Sequence, residues 1–404
     1  MNLDRFLRLA ERRPPALVFQ VGYATGLGVI RDLGRAGVPV LGLDDNAESL
    51  GFSSRHAAGI LCPPPQQDED AFLGFLEELG RRLPQRGVLF PTHDEFIWPL
   101  SRHAQRLERW YRIPFARWDV MAQLYDKREQ LEAAWRAGVD TPRTAFIGRA
   151  ADLESAVAAV TYPAVLKPVD SLAFKLRFHK HLIDIENPAR LEEVWPDVSD
   201  LGTLMLQERI PGEDGELFTV GSYLDAESRP LALFTGHKIR QHPTGAGSAR
   251  LAVSAWEADL AEAGLRLLRE LSYHGVSQVE FKRDPRDGRY CLMEVNARHW
   301  MWHSLATACG VNLSLVAYSD AIGKPFLAPR QIDGPRWVVA TKDAPLAARE
   351  IWRRQLSPLV YARSLRGARV DGVLSLDDPV PGLRNIGRVA KQIVTRRPST
   401  PIES

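Results

Sequence analysis

The chain has 404 residues, 45% hydrophobic and 25% charged, the balance of a soluble globular protein with room for two or three domains. A net charge of +2 argues against nucleic acid as a partner, and no run approaches the roughly 20 apolar residues of a membrane span. Three cysteines, Cys62, Cys291 and Cys309, lack metal-ligand spacing and, with no signal-peptide core at the N-terminus, fit reduced thiols in a cytoplasm.

Residues 1–118 read as an α/β domain in which strand and helix alternate. Strand Ala16–Val21 runs into the glycine turn Gly22-Tyr23-Ala24-Thr25-Gly26-Leu27-Gly28, followed by a helix to about Ala36, a second strand Val38–Leu43 and a third, Val88–Phe90. Ligands of open α/β sheets collect at the carboxyl ends of strands, which makes Gly22, Asp44 and Asp94 candidate neighbours of one. The glycine spacing is not GxGxxG, so a tight strand-to-helix turn explains it better than a dinucleotide site does.

Asp119 is expected to cap a helix that carries Lys127 and runs to about Ala137, before the break at Gly138–Pro142. Strand Ala164–Leu166 ends in Lys167-Pro168, and Leu204–Gln207 leads into Glu208-Arg209-Ile210-Pro211-Gly212. Strands follow at Phe218–Leu224 and Leu231–His237, then a helix from Trp256 to Leu271 with Leu260, Gly264, Leu267, Leu268 and Leu271 on one face.

The segment VSQVEFKRDPRDGRYCLMEVNAR, Val276 to Arg298, reads as two alternating runs about a turn at Asp287. That register sets Glu280 opposite Glu294 and groups Glu294 with Asn296, away from Cys291, Met293 and Val295. Facing carboxylates repel. A divalent cation removes that cost, and two carboxylates with an amide oxygen suit Mg²⁺, with Mn²⁺ as a substitute; two glutamates pointing into water remain the plain alternative. His299 and His303 share the i, i+4 spacing of a metal pair but lack a third ligand, and lining a pocket suits them better than zinc. No Ser–His–Asp or reactive-cysteine arrangement can be argued.

From 328 to 404 arginines recur and the chain ends in RRPSTPIES, the pattern of a small, mainly helical appendage with a basic face, solvated or offered to an anionic partner or membrane surface.

The order of these pieces, over roughly Val18 to Pro325, resembles the ATP-grasp superfamily of carboxylate–amine ligases, through AVLKP with Lys167, QERIPGEDGE, VEFKRD with Glu280 and LMEVNAR with Glu294, Asn296 and Arg298. The resemblance implies α/β and α+β architecture: a Rossmann-like pre-ATP-grasp domain (1–118), a two-lobed ATP-grasp domain (119–327; small lobe about 150–207, large lobe about 208–327) and a basic C-terminal region (328–404). It assigns Lys127 and Lys167 to ATP phosphates and the stretch Gln207, Glu208, Arg209 and Ile210 to the adenine, with the Glu208 carbonyl accepting and the Ile210 amide donating. The ribose falls to Glu216 or Glu213, and the metal to Glu280, Glu294 and Asn296. Arg298 would bind the transferred phosphoryl group, with Lys238 and Arg240 as charge stabilisers. The loop after Lys167, PVDSLAFKLRFHKHL, departs from glycine-rich relatives; Ser171 with Lys175 or Lys180 would replace backbone amides there, as in D-aspartate ligase-like members. The implied reaction joins a small-molecule carboxylate, activated as an acyl phosphate, to an amine, amino acids being candidates for both. A non-amine acceptor, a carboxylate kinase and a nucleotide-binding scaffold without turnover stay open, as does oligomeric state.

Overall fold

The computed structural model describes residues 1–169, 177–178, 182–245, 247–367 and 369–394. The apolar runs of the N-terminal region are buried along their length, as a sheet covered on both faces requires. Strands β1 (Ala16–Phe19), β2 (Val40–Asp44), β3 (Ala57–Leu61), β4 (Gly87–Pro91) and β5 (Tyr111–Arg112) form a parallel sheet in the order β3-β2-β1-β4-β5. Two of the five are absent from the sequence reading: β3 is AAGIL, poor in strand formers, and β5 has only two residues.

A small antiparallel sheet follows, β6 (Thr144–Ile147), β7 (Ala164–Pro168), β8 (Ile183–Ile185) and β9 (Leu204–Glu208), in the order β6-β9-β7-β8. The expected long helix before it is two helices, Trp118–Tyr125 and Lys127–Arg136, and Asp119 caps neither. Asp126 caps the second, its carboxylate accepting the amides of Arg128 and Glu129, which puts Lys127 at the first helical position.

The largest sheet contains β10 (Leu217–Leu224), β11 (Pro230–His242), β12 (Ser248–Ser254), β13 (Gly275–Arg283), β14 (Tyr290–Asn296), β15 (Arg336–Val338) and β16 (Arg369–Asp371). Their order is β14-β13-β10-β11-β12-β15-β16. Glu280 pairs with Glu294, the expected register, but a bulge beyond them pairs Phe281 with Leu292 and shifts the parity. Leu292 and Val295 therefore enter the core while Met293 stays half-buried, which corrects the expected grouping of Met293 with Val295.

The C-terminal region is mainly helical, as expected, but it also supplies β15 and β16, so the large sheet continues past the expected boundary at 327. Its attachment is electrostatic as well. Arg240 donates to both carboxylate oxygens of buried Asp343 at 3.1 and 2.8 Å, bonds Ser364 and lies over the Tyr361 ring. Arg250, also buried, grips Glu350 at 2.6 Å and lies 3.6 Å from Asp343. On the other side, Arg31 pairs with buried Asp378 at 3.0 Å.

Core packing divides the molecule unevenly. Side chains of the parallel sheet and the helices packed on it, such as Phe19 and Phe72, share a continuous core with Val279, Phe281 and Leu292 of the large sheet. The small lobe keeps a core of its own around Leu166, Leu191 and Leu206. Gly221 on β10 and Gly28 on the helix Ala24–Arg35 allow close approach, since a Cβ there would meet the Trp300 ring at 2.1 Å and the His303 ring at 2.6 Å. Removing Asp343 should leave the Arg240 guanidinium without a carboxylate in the interior, while Arg250 keeps Glu350: Asp343→Ala is expected to lower unfolding free energy by ~3–5 kcal/mol in denaturant titration. A loss below about 1 kcal/mol would show that the C-terminal strands do not depend on this pair.

Candidate active site

The end of the β13–β14 hairpin that carries Glu280 and Glu294 faces the small lobe, and the groups gathered there are mostly charged. Lys238, delivered by β11 from beyond β10, sets its ammonium 3.0 Å from Glu280 and 3.3 Å from the Gln241 oxygen. Glu294 is open to the cleft yet closely surrounded by protein; burial, then Glu280 and Asp94, push its carboxyl upward, against Arg298 and Lys127. Lys167, at the end of β7, donates to Gln207 at 3.1 Å, and Gln207 donates to Thr144 at 3.0 Å. Burial, then Lys127, brings Lys167 down to about 8, while Glu294 acts in the opposite sense. Lys127, Lys167, Glu280 and Glu294 thus form one electrostatic group across two lobes.

Asn296 donates to the Gln278 side-chain oxygen at 3.3 Å, and Gln278 donates to Thr219 at 3.0 Å. That chain fixes the Asn296 amide and leaves its oxygen available. Arg298 is committed to a bidentate pair with Asp94, at 2.7 and 3.0 Å, so strand β4 of the parallel sheet reaches the same cleft. Burial would raise the Asp94 carboxyl, but Arg298 holds it below its ordinary range.

The segment joining the lobes is partly spent on structure. The Glu208 amide bonds the Arg143 carbonyl and the Arg209 amide the Pro163 carbonyl. Among the described residues the Ile210 amide has no backbone partner. The Glu208 carboxylate accepts from Arg286 at 2.6 Å; burial would raise it, and that contact keeps it low. Arg209 pairs with Asp184 at 2.9 Å. Glu216 is held by Arg283 at 2.7 Å, whereas Glu213 is exposed.

Arg240 does not belong to this group. Its guanidinium faces Asp343 and Tyr361, as required to anchor the C-terminal region, and a charge-stabilising role in the cleft is withdrawn. His299 and His303 do come together, with rings 4.8 Å apart, but around structural partners. His299 meets Ser314 at 3.1 Å, while His303 bonds the Trp300 carbonyl at 2.9 Å and lies 3.5 Å from Asp32. His303 is fully buried, and His299 borders a small apolar pocket with Phe90 and Phe115. Ser171, Lys175 and Lys180 lie outside the described residues.

The family described as "Carbamoyl-phosphate synthase L chain, ATP binding domain" matches residues 244–327, which contain the carboxylate hairpin. A D-aspartate ligase of Enterococcus faecium (strain Aus0004) is 23% identical over 329 residues, 72% of this chain and 78% of that one. These matches make the chain similar to ATP-grasp carboxylate–amine ligases. Among solved structures, an L-amino acid ligase from Bacillus licheniformis superposes with TM-score 0.58 at 17% identity, covering 78% of this chain and 75% of that one. An N5-carboxyaminoimidazole synthetase from Staphylococcus aureus, complexed with ADP, gives 0.63 at 15% identity over 85% and 87%.

The donor set of Glu280, Glu294 and Asn296 suits a divalent cation. Among the described residues no three His, Cys, Asp or Glu side chains gather to hold a metal by themselves. Two carboxylates and an amide oxygen leave coordination positions for phosphate and water oxygens, which is how Mg²⁺ is commonly held. The upward push on Glu294 is the cost such an ion would relieve.

The sequence reading passed over Gln278, which orients Asn296, and Lys282, which follows Glu280 by two on the same strand. Burial, then Arg209, lowers Lys282, placing it beside the segment joining the lobes. Strand parity with Glu280 was the available signal. Lys167 attracts phosphate only as a cation, which it is below its value of about 8 and ceases to be above it. Affinity for MgADP is therefore expected to fall as pH rises from 7 to 9, by about tenfold in calorimetric titration. Lys167→Met should bind weakly with that pH dependence flattened.

Proposed function

We propose that this ATP-grasp enzyme activates a small carboxylate as an acyl phosphate and joins it to an amine, with amino acids as the substrate class. The observation that carries this reading is the convergence of Lys127, Lys167, Glu280 and Glu294 from two lobes on one cleft, with Arg298 at its edge. A nucleotide-binding scaffold has no need of opposed carboxylates and a flanking guanidinium as well. The relatives named D-aspartate ligase and L-amino acid ligase support amino acids on both sides of the new bond.

In this reading a carboxylate oxygen of the substrate attacks the terminal phosphorus of ATP, and ADP leaves as the new O–P bond forms. An amine nitrogen then attacks the acyl carbon, expels inorganic phosphate and gives its proton to solvent, leaving an amide. Lys127 and Lys167 hold phosphate oxygens, and the free Ile210 amide suits the adenine edge. Glu280, Glu294 and the oriented Asn296 oxygen would hold Mg²⁺, which when bound neutralises charge on the phosphate oxygens. Arg298, turned toward the cleft by Asp94, suits the acyl phosphate, and Lys238 offsets charge beside Glu280. Most of the rate enhancement would come from positioning and electrostatics, since no protein nucleophile is involved.

A screen of amino-acid pairs with ATP and Mg²⁺, followed by phosphate release and mass spectrometry of products, tests the reading. A product carrying both substrates less one water is expected. Glu294→Ala and Lys167→Ala should each cut turnover by at least ~10²-fold. Phosphate release without a joined product would identify a kinase or hydrolase instead, and near-parental turnover in both variants would refute the site.

A further inference from the structure

The C-terminal region sorts its charges by direction. Between residues 340 and 394 the acids are Asp343, Glu350, Asp371, Asp377 and Asp378, and each is engaged by the protein. Asp343 and Glu350 take Arg240 and Arg250 of the large sheet, and Asp377 and Asp378 take Arg35 and Arg31 of the helix Ala24–Arg35. Asp371 accepts the amides of Ala340, Val373 and Leu374. The cations turn the other way: Arg353, Arg354, Arg363, Arg366 and Arg384 are exposed, with no ion pair among the described residues. A surface with no partner would be expected to mix the two signs.

Aliphatic side chains accompany these cations. The helix Pro379–Val394 carries Arg384, Arg388 and Lys391 and no acid. Pro381 and Gly382 are buried against the body, and Asn385 donates to Thr341 at 2.9 Å. On the open side Val380, Leu383 and Ile386 are 47%, 65% and 46% exposed, and Leu376 just ahead of the helix is fully exposed. At roughly 100° per residue, Val380, Leu383, Ile386, Gly387 and Ala390 fall within one arc, and Arg384, Arg388 and Lys391 line its edge. Arg388 also lies 3.7 Å from the exposed Glu48, so Arg384 and Lys391 carry most of the edge's positive charge; an apolar arc bordered by cations, on a helix without acids, is the chemistry of a lipid–water interface.

We propose that this face docks on an anionic membrane surface, its aliphatic side chains between the headgroups and its arginines at the phosphates. A second copy is a poorer occupant, because a two-fold contact of this mainly cationic face with itself would set cation largely against cation. Attachment would be peripheral: no helix of the described residues is long and apolar enough to cross a membrane. The proposal is independent of the ligase reading.

Flotation of the full chain with vesicles tests it. Binding to equal parts phosphatidylcholine and phosphatidylglycerol should exceed binding to phosphatidylcholine alone by at least ~10-fold at about 50 mM salt, and fall steeply at about 500 mM. The double variant Leu383→Asp/Ile386→Asp and the single variant Arg384→Glu should each lose at least ~5-fold, with unchanged thermal unfolding midpoints. If the double variant fails to fold, Arg384→Glu decides. A parent that does not float, or variants that float as well as it does, overturns the proposal. So does a dimer, seen by light scattering, that Arg384→Glu dissociates.

Discussion

Two like charges held opposite each other on adjacent strands set the terms for the rest of the cleft. Glu280 and Glu294 cannot move apart, because the hairpin that bears them is the edge of a seven-stranded sheet with Phe281, Leu292 and Val295 fixed in the core beneath. Their repulsion is instead met by cations brought from elsewhere: Lys238 from the next-but-one strand, and Lys127 and Lys167 from across the cleft. The result is a preorganised charge field whose balance changes when a phosphate-bearing ligand enters.

Arg298 and Asp94 extend this logic to the third unit. Their bidentate pair ties the residue that follows the carboxylate hairpin to the carboxyl end of β4, where α/β sheets present ligands. Thr92, one turn earlier, donates to the carbonyls of Phe19 and Gln20, and Gln20 adopts a left-handed φ of 57° to end β1. The strand ends of the parallel sheet are therefore sewn to the carboxylate hairpin by one ion pair.

Much of this was legible in the sequence because it follows from local rules. The turn formers around Asp287 fixed the register of Glu280 and Glu294, and AVLKP announced a strand ending in lysine. What escaped depended on partners distant in sequence or on small exceptions to periodicity. A single bulge at Met293 reversed the expected faces, and Asp126 outcompeted Asp119 as a cap because its carboxylate reaches two amides. Arg240 looked like a cleft cation until Asp343, 103 residues away, claimed it. Short strands such as Tyr111–Arg112 exist only because a neighbour pairs with them, and the C-terminal strands hold their place through sheet pairing and buried ion pairs that composition does not reveal.

The separate core of the small lobe has an energetic corollary. Residues Thr144 to Glu208 are attached to a larger body whose own interior runs unbroken from the parallel sheet into the seven-stranded one. Such a lobe can open by local unfolding without disturbing the rest, so its amide hydrogens would exchange with solvent as one cooperative unit, ahead of those in the shared interior. Any nucleotide gripped by Lys167 would draw that unit's stability toward the global value, coupling occupancy of the cleft to order in the small lobe.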